Sequence, residues 1–330
     1  MHKIAFFDTK PYDRSAFENA AAADDFKFKF FEFKLNEDTA IMAKGCDGVV
    51  VFVNDIINSR VIDILCENGC KIIALRCAGF NNVDLSYAKG KIAVARVPMY
   101  SPYAIAEHTM ALLLCVNRKI HRAYFRTRSN NFTLNGLTGV DLHGKTIGVI
   151  GTGKIGQTFI RVCSGFDMKV LAYDPYPSDI GAEYVSLDEL CAKSDFISIH
   201  CPLNKDTYHI INSDTLSKMR DGVIIINTSR GALIDTDALI EALRSGKVGG
   251  AGLDVYEEES DLFFEDYSEK IVQDEDITFL LSMPNVLITS HQAFLTEEAL
   301  TQIARVTIDN LSSFFAGGTK TQESNFLSVL

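Results

Sequence analysis

The sequence predicts an α/β protein with two doubly wound parallel-sheet domains. Over the first hundred residues, short apolar runs alternate with helical stretches, the pattern of a parallel sheet covered on both faces. A second series opens near Thr146 with a strand, a glycine-rich turn and a helix. At 330 residues the chain also exceeds what one core usually supports.

In the first series, strands are expected at Ile4–Phe7, Gly48–Val53, Ile72–Leu75 and Ile92–Val94, all short and apolar. Phe28–Phe33 nearly alternates aromatic and charged residues, as a strand with one wetter face does. Arg60–Asn68 is a helical candidate between them. Pro98 and Pro102 then punctuate the chain, because each proline pushes its preceding residue away from helix. A long apolar helix follows over Ile105–Arg118, interrupted by Glu107, His108 and Thr109. A polar stretch, Arg122–Asn135, leads into the second series. Its strands are expected at Thr146–Ile150, Lys169–Tyr173, Phe196–His200, Val223–Asn227, Gly250–Asp254 and Val286–Thr289. Thr296–Phe314 reads as a closing helix before a polar tail.

Composition narrows the partners. A net charge of −11 argues against nucleic acid, since phosphate binding needs a basic face. No apolar run is long enough for a transmembrane span, and Met1–Asp8 reads as a first strand rather than a signal peptide. Eight cysteines show no paired metal-ligand spacing; Cys66 and Cys70 alone, four apart, do not make a metal site. Reduced thiols in the cytoplasm, with no metal, are expected.

The segment Thr146-Ile147-Gly148-Val149-Ile150-Gly151-Thr152-Gly153-Lys154-Ile155-Gly156 is a strand feeding a G-x-G-x-x-G turn. Gly151 permits the tight turn, Gly153 lets backbone approach a pyrophosphate, and Gly156 allows helix to pack on strand. The helix start offers free N–H groups and a positive dipole end to phosphate. About 20 residues on, at the end of the next strand, Asp174 suits a ribose 2′-hydroxyl and would repel a 2′-phosphate. Pro175-Tyr176-Pro177 supplies no arginine for that phosphate. NAD is therefore expected over NADP.

Three later strand ends carry chemistry. They are followed by Thr228-Ser229-Arg230-Gly231, by Val255-Tyr256-Glu257-Glu258-Glu259, and by Ser290-His291-Gln292-Ala293-Phe294. Arginine can clamp a carboxylate with its planar fork and stabilise charge developing on a carbonyl oxygen. Histidine can donate a proton near working pH, and a glutamate can orient it. Nothing local selects among Glu257, Glu258 and Glu259.

Taken together, Gly151–Gly156 with Asp174–Pro177, Asn227–Gly231, Asp254–Glu257 and His291–Phe294 resemble the D-2-hydroxyacid dehydrogenases. Leu75–Asp84 and Asp261–Asp266 resemble the bacterial fermentative branch of that family, which interconverts pyruvate and D-lactate. The resemblance spans essentially the whole chain. It implies a Rossmann NAD domain (101–295) inserted into a flavodoxin-like substrate domain (1–100 and 296–330), with Ile105–Arg118 and Thr296–Phe314 near a hinge that closes on substrate.

The same resemblance implies Arg230, Glu259 and His291 as the catalytic set. It places the backbone of Lys154 and Ile155 on the pyrophosphate, and Cys201, Pro202 and Thr207 on the adenosine side. Thr228, Ser229, Arg230 and Asp254 fall near the nicotinamide. Ala78 and Gly79 receive the substrate carboxylate through backbone, while Phe52, Tyr100 and Phe294 wall the pocket beside Arg230 and His291. A homo-oligomer, dimer or tetramer, is implied as well. The alternatives are a related enzyme for another 2-keto acid and, in a different class, a non-enzymatic NADH sensor.

Overall fold

The computed structural model describes residues 1–20, 26–259, 262–317 and 325–328. Asp261 and residues 318–324 of the polar tail lie outside them. The described chain divides into two compact units, Met1–Ser101 with Leu295–Leu330, and Pro102–Phe294.

The first unit opens with β1 (His2–Phe6), α1 (Pro11–Ala20), β2 (Phe26–Phe30), β3 (Gly48–Val51) and α2 (Ser59–Glu67). It continues through β4 (Ile72–Leu75), α3 (Leu85–Ala88) and β5 (Ala93–Ala95). The second unit begins with α4 (Pro102–Arg118) and α5 (Ile120–Arg128), then β6 (Thr146–Ile150), α6 (Lys154–Ser164), β7 (Lys169–Tyr173) and β8 (Glu183–Tyr184). There follow α7 (Leu187–Lys193), β9 (Phe196–Ile199), α8 (Ser213–Lys218), β10 (Val223–Asn227) and α9 (Thr236–Ser245). β11 (Val248–Leu253), α10 (Glu275–Ser282) and β12 (Val286–Ile288) complete that unit, and α11 (Glu297–Phe315) and β13 (Phe326–Ser328) return to the first.

The first sheet runs β13-β5-β4-β3-β1-β2. Its five parallel strands take the flavodoxin-like order 2-1-3-4-5. β13 pairs with β5 antiparallel, so this sheet is mixed at one edge. That strand is only three residues long and was not visible in the polar tail. The aromatic run after β2 also departs from expectation. Phe26, Phe28 and Phe30 alternate with exposed Lys27 and Lys29, but beyond Phe30 the chain bends out of the sheet. Phe31 and Phe33 then lie against Phe7, with ring centroids 5.1 and 6.1 Å away.

The second sheet runs β12-β11-β10-β9-β6-β7-β8, every pairing parallel. Renumbered within the unit, this is the Rossmann order 3-2-1-4-5-6 with one further strand. The order reverses between β6 and β9, where the loops after those two strands diverge and leave a crevice. Helix starts are set by local caps. Asp235 accepts from Ala238 N–H at the head of α9, and Asp274 from Ile277 N–H at the head of α10. The polar stretch Arg122–Asn135 begins inside a helix, α5, which runs to Arg128 and has no buried residue.

One buried ion pair holds the first unit together at β4. Arg76 is 1% exposed. Its Nη1 lies 3.2 Å from Asp13 Oδ1, and Nη2 donates to the Asp8 carbonyl at 2.7 Å. The guanidinium carbon stands 3.9 Å from the centre of the Phe52 ring. Burial pushes the Asp13 carboxyl up, and Arg76 opposes that shift. Removing Arg76 alone leaves a buried charge uncompensated. Arg76→Met is expected to cost about 3–5 kcal/mol in urea unfolding, and adding Asp13→Asn returns part of it.

Candidate active site

The candidate groups of the second unit follow the carboxyl ends of six strands of one sheet: Gly151 after β6, Asp174 after β7, Cys201 after β9, Thr228–Arg230 after β10, Asp254 after β11 and His291 after β12. This edge is where open α/β sheets bind ligands.

At the turn after β6, Gly151 has φ +94°, a conformation L side chains rarely adopt. A Cβ there would stand 2.4 Å from Cys201 N. A Cβ on Gly156 would stand 2.1 Å from the Gly151 carbonyl oxygen, so α6 packs directly on the turn. Gly153 differs: a Cβ there meets nothing within 4 Å. It is the N-cap of α6 and offers no side chain to the helix's first N–H groups. Lys154 and Ile155 therefore begin α6 beside open space with donors to spare.

Asp174 Oδ2 accepts from Thr152 N–H at 2.7 Å and the Thr152 hydroxyl at 3.0 Å, while Oδ1 accepts from Tyr176 N–H at 2.9 Å. Burial opposes ionisation here, but these hydrogen bonds outweigh it and hold the carboxyl below its ordinary range. Asp174 is thus a carboxylate throughout the neutral range. Across the crevice, the Thr207 hydroxyl donates to the Pro202 carbonyl at 2.6 Å and accepts from Asn204 N–H at 2.8 Å, bracing the loop after β9. Ser229 ties that loop to the next one, its hydroxyl donating to the Cys201 carbonyl at 2.8 Å. Thr228 is buried with its hydroxyl 2.8 Å from that of Thr109.

Arg230 is half-buried, and its Nη1 donates to the Ser229 carbonyl at 2.6 Å. Its guanidinium forms no ion pair with any described residue. The backbone beside it is wedged against the loop after β11. A Cβ on Gly231 would stand 2.0 Å from the Tyr256 carbonyl carbon and 2.3 Å from Glu257 N, so only glycine permits that approach.

The three glutamates separate cleanly. Glu257 pairs with His209 Nε2 at 2.8 Å and accepts from the Thr236 hydroxyl, and Glu258 is exposed. Glu259 Oε1 lies 2.7 Å from His291 Nδ1, each side chain 16% exposed, and Oε2 accepts from Tyr256 N–H at 3.0 Å. Nε2 of His291 has no partner among the described residues. His291 itself has φ +50°, a strain of about 1–3 kcal/mol for a residue with a side chain. Asp254 holds it there. The Asp254 carbonyl accepts from His291 N–H at 2.7 Å, and its wholly buried carboxylate accepts from Gln292 N–H at 2.9 Å and Ala293 N–H at 2.8 Å. Asp254 thus faces donors of its own chain.

The remaining substrate candidates are described within their units. Phe294 is buried at the end of the second. In the first, Phe52 is buried; its N–H donates to Asp55 Oδ2 at 2.5 Å and its carbonyl accepts from Asn82 Nδ2 at 2.9 Å. The Ala78 carbonyl accepts from Arg96 Nη1 at 2.9 Å. Neither the Ala78 nor the Gly79 N–H donates to a described residue. Tyr100 is half-buried.

Residues 110–293 match the family model described as D-isomer specific 2-hydroxyacid dehydrogenase, NAD binding domain. This chain belongs to the D-isomer specific 2-hydroxyacid dehydrogenase family. A 2-hydroxyacid dehydrogenase homolog of Haemophilus influenzae is 53% identical over 320 residues, covering 96% of this chain and 97% of that one. The D-lactate dehydrogenase of Escherichia coli is 51% identical over 322 residues, covering 96% and 98%. A solved structure from work on the pyruvate reductase of Chlamydomonas reinhardtii superposes with a TM-score of 0.92 at 43% identity, covering 98% of each chain.

The family's cofactor is NAD, and the residues present fit it. Gly153 leaves room for a pyrophosphate, α6 presents uncapped N–H groups to it, and Asp174 is an ionised acceptor for a ribose hydroxyl. Two histidines escape simple reading. His200 also follows a strand end, yet desolvation of its half-buried ring pushes it down to about 3, so it stays neutral and outside acid–base work. His108, in the sequence only an interruption of an apolar helix, has Nε2 3.1 Å from Thr289 Oγ1 and 3.3 Å from Asp254 Oδ1. No local pattern flags it, because its partners lie far along the chain.

Asp174→Ala removes the ribose acceptor and frees Thr152 and Tyr176 N–H. NADH affinity is expected to fall about 10- to 100-fold by fluorescence titration, with a smaller loss for NADPH.

Proposed function

We propose that this enzyme reduces pyruvate to D-lactate, reversibly, with Arg230, Glu259 and His291 as its catalytic residues. The observation that carries the proposal is the 2.7 Å contact of Glu259 with His291 Nδ1, on the sheet edge where the dinucleotide turn opens. With Nδ1 engaged, Nε2 is the ring nitrogen left to hold and donate a proton. Glu259 fixes the imidazole's orientation through that contact.

NADH, when bound, supplies the hydride to the keto carbon. Arg230 brings an uncompensated guanidinium whose fork suits a carboxylate and whose charge steadies the carbonyl oxygen as it becomes an alkoxide. His291 Nε2 then gives that oxygen its proton. Lys154, Ile155 and the glycine turn hold the pyrophosphate, with Asp174 on the ribose. Cys201, Pro202 and Thr207 border the adenosine side, and Thr228, Ser229 and Asp254 the nicotinamide side. The first unit is the substrate domain of the proposal, with Ala78 and Gly79 N–H groups for the carboxylate and Phe52 and Tyr100, besides Phe294, as apolar walls for a methyl group. Support for pyruvate comes from the E. coli D-lactate dehydrogenase and the Chlamydomonas pyruvate reductase.

The proposal extends to a homo-oligomer in the cytoplasm. All eight cysteines are unpaired, as suits a reducing compartment. On α5 and the segment after it, Tyr124, Phe125, Phe132 and Leu134 are 55–80% exposed, an apolar strip that a second copy would cover. Sedimentation of Phe125→Asp/Phe132→Asp is expected to give a smaller species than the parent chain.

The activity is tested by following NADH absorbance with pyruvate. His291→Gln should lower kcat about 10²- to 10⁴-fold, and Arg230→Lys should lower kcat/KM about 10- to 100-fold. Turnover confined to larger 2-keto acids would move the substrate and keep the mechanism. No turnover of any 2-keto acid despite tight NADH binding would overturn it in favour of a sensor.

A further inference from the structure

We propose that His108 is a positioning residue for the reduction, acting from α4 on the turn that carries His291. The proposal rests on the reading of His291 as the acid. The hydrogen-bond directions leave little freedom. The Thr289 hydroxyl donates to Asp254 Oδ1 at 2.5 Å, so its oxygen is left as an acceptor. His108 Nε2, 3.1 Å from that oxygen and 3.3 Å from Asp254 Oδ1, faces two acceptors and must carry a proton.

The Asp254 carboxylate is 0% exposed and offers about four lone-pair sites. Thr289 hydroxyl, Gln292 N–H and Ala293 N–H take three of them. His108 Nε2 donates to the Thr289 oxygen and stands 3.3 Å from Oδ1, so it braces the Thr289 donor on that carboxylate. Thr289, Gln292 and Ala293 bracket His291, whose own N–H goes to the Asp254 carbonyl. The left-handed turn at His291 is therefore pinned on both sides by one carboxylate, and His108 braces the Thr289 side of that shell. The His108 side chain is 19% exposed and comes from a different element, so it ties the turn to the long helix of the same unit.

Loss of this donor should let the turn relax and misplace Nε2 of His291, and small misplacements of a reacting group are costly. His108→Phe keeps the ring volume and removes the donor; His108→Gln keeps an N–H of similar reach. The expected result for His108→Phe is a kcat lower by about 10- to 100-fold, with the NADH dissociation constant unchanged. His108→Gln should recover most of the loss. A merely structural role would lower stability and NADH binding together and would not discriminate the two variants in kcat.

The closing experiment is the double-mutant cycle with His291→Gln, read by stopped-flow NADH oxidation and NADH fluorescence titration. If His108 acts through His291, H108F costs little more in the H291Q background than H291Q alone. An inactive H291Q beside H108F at parental kcat overturns this proposal and leaves the acid assignment standing. Full turnover by H291Q overturns the acid assignment, and this proposal with it.

Discussion

A single buried carboxylate sets the geometry on which the candidate chemistry depends. Asp254 has no contact with solvent, and a buried carboxylate must find hydrogen-bond donors within the protein. The chain meets that demand with the N–H groups of one tight turn, and the turn is the one that carries His291. Desolvation is thereby converted into precision. The strained backbone at His291 persists because the alternative, an unsatisfied charge in the interior, costs more.

Around that point, each neighbouring loop is fastened to the next rather than to solvent. Ser229 reaches the loop after β9, Gly231 lets the loop after β10 press on Tyr256, and Tyr256 N–H holds Glu259. Arg230 and the Glu259–His291 pair are carried by loops braced in this way at the edge of a rigid sheet, which is how a site keeps its geometry without a large core of its own.

Much of this was legible beforehand because it is written locally. The glycine spacing and Asp174 state a turn and an acceptor within thirty residues. Five strands of the second sheet, among them Thr146–Ile150 and Val286–Ile288, begin and end within a residue of the apolar runs that announce them. The choice among Glu257, Glu258 and Glu259 came only from family resemblance, since three adjacent acids differ solely in what the fold places opposite them. His108 was illegible for the same reason: its partners are 146 and 181 residues away. Helix α5 and strand β13 were missed on other grounds. One buries no residue, so no core announces it; the other is three residues long and borrows its order from β5.

The return of α11 and β13 to the first unit ties its completion to the order of synthesis. Ile308 and Leu311 of α11 belong to the same apolar cluster as Ile72 and Ala74 of β4 and Phe17 of α1, and β13 closes an edge of that sheet. Neither α11 nor β13 exists when the first hundred residues leave the ribosome. All of the second unit must be made in between, roughly 200 residues, or about 10–40 s of elongation. For that interval the nascent first unit displays an uncovered apolar face and an open strand edge, while the second can already fold as a continuous piece. The polypeptide is thus finished from the middle outward, the second unit being complete in sequence before the first has its closing helix and edge strand.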